Sequence, residues 1–107
     1  MNKKILLLTT TICMLPLILG AALYNYLPAE IPIHWDASGS ADRYCNKLLA
    51  IIGHPLFFAL INIIVHYRVS FSADGTGSKI INIITLWICP VLSVIVLTIV
   101  FLTAANF

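Results

Sequence analysis

Hydrophobic residues fill three long stretches of the chain, and most polar residues lie between these stretches. A helix needs roughly 20 apolar residues to cross a hydrocarbon core about 30 Å thick, and each stretch is close to or above that length. The pattern therefore predicts an all-α integral membrane protein with a single membrane domain. We expect transmembrane helices at residues 5–27, 48–66 and 80–105, a compact extracytoplasmic loop at 28–47 and an inner loop at 67–79.

Composition excludes several classes of protein. Hydrophobic residues make up 61% of the 107 positions and charged residues 9%, and the mean hydropathy is +1.03. About a quarter of the residues of a soluble domain are charged, so this chain is not a soluble domain. The formal net charge is only +2, and the Lys and Arg residues are spread over short loops. Nucleic-acid binding is therefore set aside as a function.

The first hydrophobic stretch also has features of a secretory signal peptide. Lys3 and Lys4 precede it, and small residues at 20–22 could form a cleavage site. However, the apolar stretch continues through Leu23 to Leu27, beyond the usual length of a signal-peptide core. We therefore expect this helix to be retained as a membrane anchor.

Basic residues in short loops predict the orientation, because loops rich in Lys and Arg stay in the cytoplasm. The N-terminus and the second loop hold four such side chains, whereas the first loop holds two, together with three acidic ones. These residues are Lys3, Lys4, Arg68 and Lys79, with His66 nearby, against Arg43, Lys47, Glu30, Asp36 and Asp42. We expect a cytoplasmic N-terminus, with the first loop and the C-terminus outside.

Small and weakly polar residues share one face of the first predicted helix and one face of the third. Such residues allow close backbone approach and interhelical hydrogen bonds within a bilayer. We interpret these faces as packing surfaces rather than as a transport path. They are formed by Thr9, Cys13, Pro16 and Gly20 in the first helix and by Asn82, Thr85, Cys89 and Ser93 in the third.

Two polar residues, His54 and Asn62, lie within the second predicted helix. Burying them in a bilayer costs free energy unless they find partners, so we expect both to face the bundle or a wet cavity. His54 is near the outer end of the helix and could reach the interface. A proton relay is disfavoured because no Asp or Glu lies within any of the three helices.

The three cysteines are Cys13, Cys45 and Cys89, and no Cys-x-x-Cys pair occurs. Their odd number and spacing argue against an intrachain disulfide and a structural zinc site. We expect neither a metal nor another cofactor. Cys45 could pair between chains, which leaves a homo-oligomer open.

The loop at 28–47 carries most of the information about structure outside the helices. Pro28 ends the first helix, and residues 31–35 favour an extended conformation. Asp36 begins a turn in which its side chain can bond the backbone, and Gly39 can adopt positive φ. We therefore predict a compact cap over the helix ends, with Trp35 at the level of the lipid headgroups.

The same loop contains His34, Asp36 and Asp42, residue types that could bind a divalent metal or transfer protons. However, no metal-ligand spacing is present, and no Ser or Cys has a visible base partner. Hydrogen bonds that hold the loop on the bundle, for example Asp42 with Arg43 or Lys47, explain these residues more simply. Peptide or protein recognition is the second interpretation, and metal binding or catalysis is the third.

The residues of the loop follow a pattern at fixed spacing. The pattern is Leu27-Pro28-x-x-Ile31-Pro32-x-His34-Trp35-Asp36-x-x-Gly39-x-x-Asp42-x-Tyr44-x-x-Lys47. It resembles the domain of unknown function 1648, which forms the N-terminal part of SdpI-type bacterial membrane proteins. The resemblance implies that Pro32, His34, Gly39, Asp42 and Lys47 are signature positions.

The resemblance implies a function in the bacterial cell membrane, because the best-known members of this family give immunity against a secreted peptide toxin and can help to signal its presence. SdpI-type proteins continue into further helices with a Gly-x-Arg-Thr type segment that these 107 residues do not contain. The chain is thus either a short member or a truncated one.

Three functional hypotheses follow from the loop and the helices together. The first is a non-enzymatic SdpI-like membrane protein that protects against or senses an extracytoplasmic antimicrobial peptide, with a binding surface on the loop. Its predicted binding residues are Pro32, His34, Trp35, Asp36, Gly39, Asp42 and Lys47. The second is a small subunit of a larger membrane complex or transporter with a structural role. The third is a membrane-embedded enzyme or metal-dependent hydrolase that uses His34, Asp36 and Asp42.

Overall fold

The computed structural model describes residues 2–72 and 79–106, which form three long helices and a β-hairpin. The elements are α1 (Lys3–Ala22), a short 3-10 helix (Tyr24–Tyr26), β1 (Glu30–Trp35), β2 (Ala41–Asn46), α2 (Lys47–Ser72) and α3 (Lys79–Ala104). All three α-helices are long and apolar enough to cross a membrane. This confirms the predicted fold class of a multi-pass membrane protein, and the compact loop is a two-stranded antiparallel hairpin.

The first α-helix is shorter than the sequence predicted. It ends at Ala22 rather than at residue 27, and residues 24–26 form a tighter 3-10 turn. Pro28 forces Leu27 into an extended conformation, with ψ 141°, so the chain must leave the helix before it. The amide of Tyr26 donates to the carbonyl of Leu23 at 2.8 Å, which satisfies one of the carbonyls at the helix end.

The second helix begins one residue before the predicted start and continues beyond its predicted end at residue 66. The Asn46 side chain accepts a hydrogen bond from the Leu48 amide at 2.9 Å, and the helix then runs to Ser72. Residues 67–72 contain no Gly or Pro to stop it. The predicted inner loop at 67–79 is therefore helical over 67–72, and its residues 73–78 lie outside the described residues.

The hairpin lies against the ends of the helices and joins their core. Ile31 of β1 is fully buried together with Phe101 of α3, and Ile51 of α2 and Leu97 of α3 belong to the same cluster. The close packing depends on Gly20 of α1. A Cβ atom at that position would lie 2.8 Å from Cγ1 of Ile51 and 3.1 Å from Cε2 of Phe101.

The predicted packing faces agree with the structure in α1 and in half of α3. All four residues of the α1 face are buried. In α3, Cys89 and Ser93 are buried, and the Ser93 hydroxyl donates to the carbonyl of Cys13 at 2.8 Å. Asn82 and Thr85 lie one to two turns closer to the helix start and are only half-buried. The interhelical contact of α3 therefore lies closer to its C-terminal half than predicted.

Candidate functional site

The hairpin has one face toward the bundle and one face away from it, because successive side chains of a strand point to opposite sides. Ile31 points inward and is buried, and its cross-strand partner is Cys45. The side chains on the opposite side form what we call the outward face. It contains Glu30, Pro32 and His34 of β1 and Asp42, Tyr44 and Asn46 of β2.

His34 and Asp42 form a pair on the outward face. Nδ1 of His34 lies 2.6 Å from Oδ1 of Asp42, and the two side chains are 61% and 41% exposed. The strand register shifts on both sides of His34, so its backbone lies opposite Arg43 while its side chain reaches Asp42. The predicted pairing of Asp42 with Arg43 or Lys47 is therefore wrong.

The turn between the strands has the conformation that the sequence predicted. Oδ1 of Asp36 accepts hydrogen bonds from the amides of Ser38 and Ser40, at 2.9 and 3.1 Å, and from the Ser38 hydroxyl at 2.6 Å. Gly39 adopts a positive φ of 85°, and its amide donates to the Asp36 carbonyl. The Ser38 hydroxyl, followed by the Ser40 amide, lowers the pKa of Asp36 because these bonds favour the ionised carboxylate.

Lys47 anchors the base of the hairpin to the end of the first span. Its Nζ donates to the carbonyls of Tyr24 and Leu27, at 3.1 and 3.3 Å, and lies 3.9 Å from the centre of the Tyr24 ring. These carbonyls lie in the segment that follows α1, where a positive charge is favourable. Lys47 therefore turns back toward the helices and is not part of the outward face.

The seven predicted binding residues fall into separate groups in the structure. Two form the exposed pair, two lie in the turn and one is the anchor. Pro32 is half-buried opposite Tyr44, and Trp35 is exposed at the end of β1. The structure thus brings His34, Asp42 and Pro32 to one surface, together with Tyr44, which the predicted set did not include.

Chemically, the outward face combines an aromatic ring with ionisable groups. Tyr44 is 57% exposed, and Glu30 and Asp42, which carry carboxylates, lie near it on the two strands. No group of three potential metal ligands occurs among the residues that the structure describes. Burial, and then the nearby charge of Glu30, raise the pKa of the Cys45 thiol, which keeps it protonated and weakly nucleophilic. The face suits non-covalent recognition.

A buried polar cluster at the opposite end of the bundle was not predicted as a unit. The Asn62 amide nitrogen donates to the hydroxyls of Thr9 and Thr10, at 2.9 and 3.1 Å. The hydroxyl of Thr9 also lies 3.1 Å from Nε2 of His66. His66 was expected at the end of the second helix, near the basic residues of the second loop, but α2 continues beyond it and His66 is only 2% exposed.

The spacing of Asn62 and His66 could have revealed this cluster. The two residues are four positions apart, so they share one face of a helix. The oxygen Oδ1 of Asn62 is buried and has no hydrogen-bond partner within the described ranges 2–72 and 79–106. The other polar atoms bind α1 to α2, which confirms the expectation that Asn62 faces the bundle.

Comparison with known proteins identifies one domain. Residues 11–59 match the family model of a domain of unknown function, DUF1648. The matched segment contains the latter part of α1, the whole hairpin and the first half of α2. Comparisons with curated proteins and with solved structures found no match. The domain that the loop residues predicted is confirmed, whereas the link to SdpI-type proteins stays a prediction.

Proposed function

We propose that this chain is a non-enzymatic, SdpI-like protein of the bacterial cell membrane that binds an extracytoplasmic antimicrobial peptide at the outward face of its hairpin. Binding would give immunity to the peptide or report its presence. The observation that carries the proposal is the outward face itself. It exposes Tyr44 beside the His34–Asp42 pair and Glu30 on a hairpin that contains no large apolar core of its own.

The hairpin is held in shape before any partner binds. The turn is fixed by the hydrogen bonds of Asp36, and the base is fixed by Lys47 and by the hydrogen bond from the Lys47 amide to the Ala29 carbonyl at 2.9 Å. A surface that is already ordered loses less conformational entropy on binding. This rigidity supports recognition by the outward face.

The charges on the outward face favour a cationic partner. Glu30 and Asp42 contribute carboxylates there, whereas the ammonium group of Lys47 is directed to backbone carbonyls near α1. Peptides that attack membranes often carry Lys and Arg on their polar face. An acidic face with an exposed aromatic ring would pair with such a peptide through ionic and cation–π contacts.

A non-enzymatic role is supported by the state of the nearby hydroxyl groups. The Ser38 hydroxyl donates its single proton to Asp36 at 2.6 Å, and its oxygen lies 3.4 Å from the Ser40 hydroxyl oxygen. Both hydroxyls thus belong to the turn, while the His34 imidazole is paired with Asp42. A nucleophile needs a general base within hydrogen-bonding reach. Within the described residues, the imidazole of His34 bonds the carboxylate of Asp42 and no hydroxyl group.

Expression of the chain in a peptide-sensitive bacterium tests the proposal. Survival against a panel of cationic antimicrobial peptides should rise with the native chain and fall back with Tyr44→Ala. Loss of an exposed aromatic contact weakens binding by roughly ten- to thirtyfold when the residue is central to an interface. Binding of the protective peptide to purified protein should weaken by the same factor.

The matched control is Leu60→Ala, which removes an exposed side chain of α2 outside the hairpin. It should protect as well as the native chain when expressed at the same level. Unchanged killing by every peptide of the panel would contradict the proposal. Co-purification with another membrane protein, without peptide binding, would favour the alternative of a small subunit in a larger complex.

A further inference from the structure

An apolar groove surrounds His54 in the half of the bundle that lies under the hairpin. One cavity of about 190 Å³ lies between α2 and α3, and Ile33 of the hairpin contributes to its lining. A second cavity of about 360 Å³ lies next to the first along α2, and its lining includes Gly53 and Cys45 of β2. His54 and Phe57 line both cavities, so we call them together the His54 groove.

The imidazole of His54 leaves one nitrogen available to an occupant. Nδ1 lies 3.3 Å from the carbonyl of Ala50, and because a carbonyl only accepts, Nδ1 carries the proton. In the neutral imidazole the other nitrogen, Nε2, is then a hydrogen-bond acceptor. It has no partner among residues 2–72 and 79–106. Nε2 of His54 can therefore accept a hydrogen bond from a molecule bound in the groove.

The depth of His54 restricts what that donor can be. His54 is seven residues after Lys47, the first residue of α2, so at 1.5 Å per residue it lies about 10 Å further along the helix axis. We take Lys47, a charged residue at the end of a span, as the level of the headgroups. The hydrocarbon core is about 30 Å thick, and bulk water does not satisfy a polar atom at that depth. The phosphate of an ordinary phospholipid stays closer to the level of Lys47.

We propose that the His54 groove binds a single-chain amphiphile whose hydroxyl group donates a hydrogen bond to Nε2 of His54, as a long-chain alcohol or a monoacylglycerol could. The apolar lining contacts the hydrocarbon chain, and Ile33 closes the groove from the hairpin side. A helix, about 10 Å across, is too wide for a cavity of this volume, whereas a hydrocarbon chain is not. The inference does not depend on the peptide-binding function.

Two photoreactive probes test the proposal in the full chain, reconstituted in phospholipid nanodiscs. One is a long-chain alcohol, and the other is its methyl ether, which has the same chain but no donor. The alcohol should label the lining residues of α2 and α3 about two- to tenfold more strongly than the ether, the factor that one hydrogen bond supplies. Mass spectrometry of the labelled peptides locates the site.

Two substitutions separate the hydrogen bond from the shape of the groove. His54→Asn can keep the bond to the Ala50 carbonyl but lacks an atom at the position of Nε2. His54→Gln places a polar atom near that position. We expect labelling by the alcohol to fall to the ether level in the first variant and to be restored in the second, with unchanged α-helix content in both.

Equal labelling by the alcohol and the ether would mean that the groove is filled by hydrocarbon alone, and would overturn the proposal. Full labelling in the His54→Asn variant, or labelling confined to residues outside the groove, would do the same. If His54→Asn fails to fold, the comparison of alcohol with ether in the native chain still decides the result.

Discussion

Lys47, Asp36 and Asp42 of the hairpin each bond a different kind of group. Lys47 satisfies backbone carbonyls at the end of the first span, and Asp36 accepts hydrogen bonds within its own turn. Asp42 instead bonds a side chain on the neighbouring strand. The first two therefore fix the shape of the hairpin, and only the third belongs to the surface that we propose for recognition.

The turn should open when Asp36 is protonated. Because the pKa of Asp36 in the folded chain is below its ordinary value of 3.8, its stabilising contribution is complete above pH 3.8 and is lost as the pH falls through the lower, folded pKa. The amide chemical shifts of Ser38 and Ser40, followed by NMR in detergent micelles, should titrate with a midpoint below 3.8. They should stay constant between pH 5 and pH 8.

Asp36→Asn is the control for this titration, because the amide oxygen can still accept hydrogen bonds but does not ionise in this range. Its Ser38 and Ser40 amides should show no such midpoint. A midpoint at or above 3.8 in the native chain would mean that the carboxylate is not stabilised by these bonds.

At the level of elements, the sequence predicted the three spans and the four-residue face of α1, since these follow from hydropathy and from helical spacing. It did not predict where α1 ends, because Leu23, Tyr24 and Leu27 extend the apolar stretch and no Gly or Pro occurs between Ala22 and Pro28. That end is set by the conformation that Pro28 imposes on Leu27. The sequence also did not predict that His66 is buried against Thr9, because the two residues are distant in the chain.

A substitution at Gly20 tests whether the bundle requires the close approach of α1 to α2 and α3. Gly20→Ala should destabilise the bundle by about 1–3 kcal/mol, the usual cost of overpacking, because the new Cβ would lie 2.8 Å from Ile51 and 3.1 Å from Phe101. The Tm for loss of helical circular dichroism in detergent should fall.

Gly53→Ala is the matched control, since it places the same methyl group in a helix. The nearest atom is Cδ1 of Leu49 at 3.2 Å, the end of a flexible side chain that can move. Alanine also favours the helix more than glycine does. We therefore expect an unchanged or higher Tm, and an equal fall in both variants would contradict the packing argument.

At the scale of the whole molecule, three spans place the two ends of the chain on opposite sides of the membrane. The hairpin lies at the same end of the bundle as Ala105, which joins the core there with Leu27 and Ile31. The distribution of Lys and Arg predicts that this end is outside. The structure places the hairpin and Ala105 at the same end of the bundle. Which side of the membrane that end faces is predicted from the sequence.

Single cysteines test this orientation. In a chain with Cys13, Cys45 and Cys89 replaced by alanine, a membrane-impermeant maleimide should label Ser38→Cys and Asn106→Cys in intact cells. Asn2→Cys should react only after the cells are permeabilised. The reverse pattern would place the hairpin in the cytoplasm and remove its contact with an extracytoplasmic peptide.

The candidate site was predictable as a segment but not as a surface. The Pro, Gly and Asp residues of the loop have local conformational effects, so the turn at Asp36 and Gly39 could be derived from the chain itself. The partner of Asp42 could not, because the register shift at His34 decides which side chains share a face. Lys47 acts on Tyr24 and Leu27, a contact between distant positions that sequence spacing does not reveal.

Two contacts of Lys47 at the base of the hairpin make residues 28–47 a segment that could be exchanged as a unit. Lys47 binds the Leu27 carbonyl, and its amide binds the Ala29 carbonyl, so the chain leaves and re-enters the bundle at nearly one point. Apart from Ile31, its inward neighbours and the turn residues Asp36 and Gly39, we expect residues between these points to tolerate substitution without movement of the spans. Related chains could thus diversify the outward face, and a graft of residues 28–47 should transfer its specificity to a new membrane scaffold.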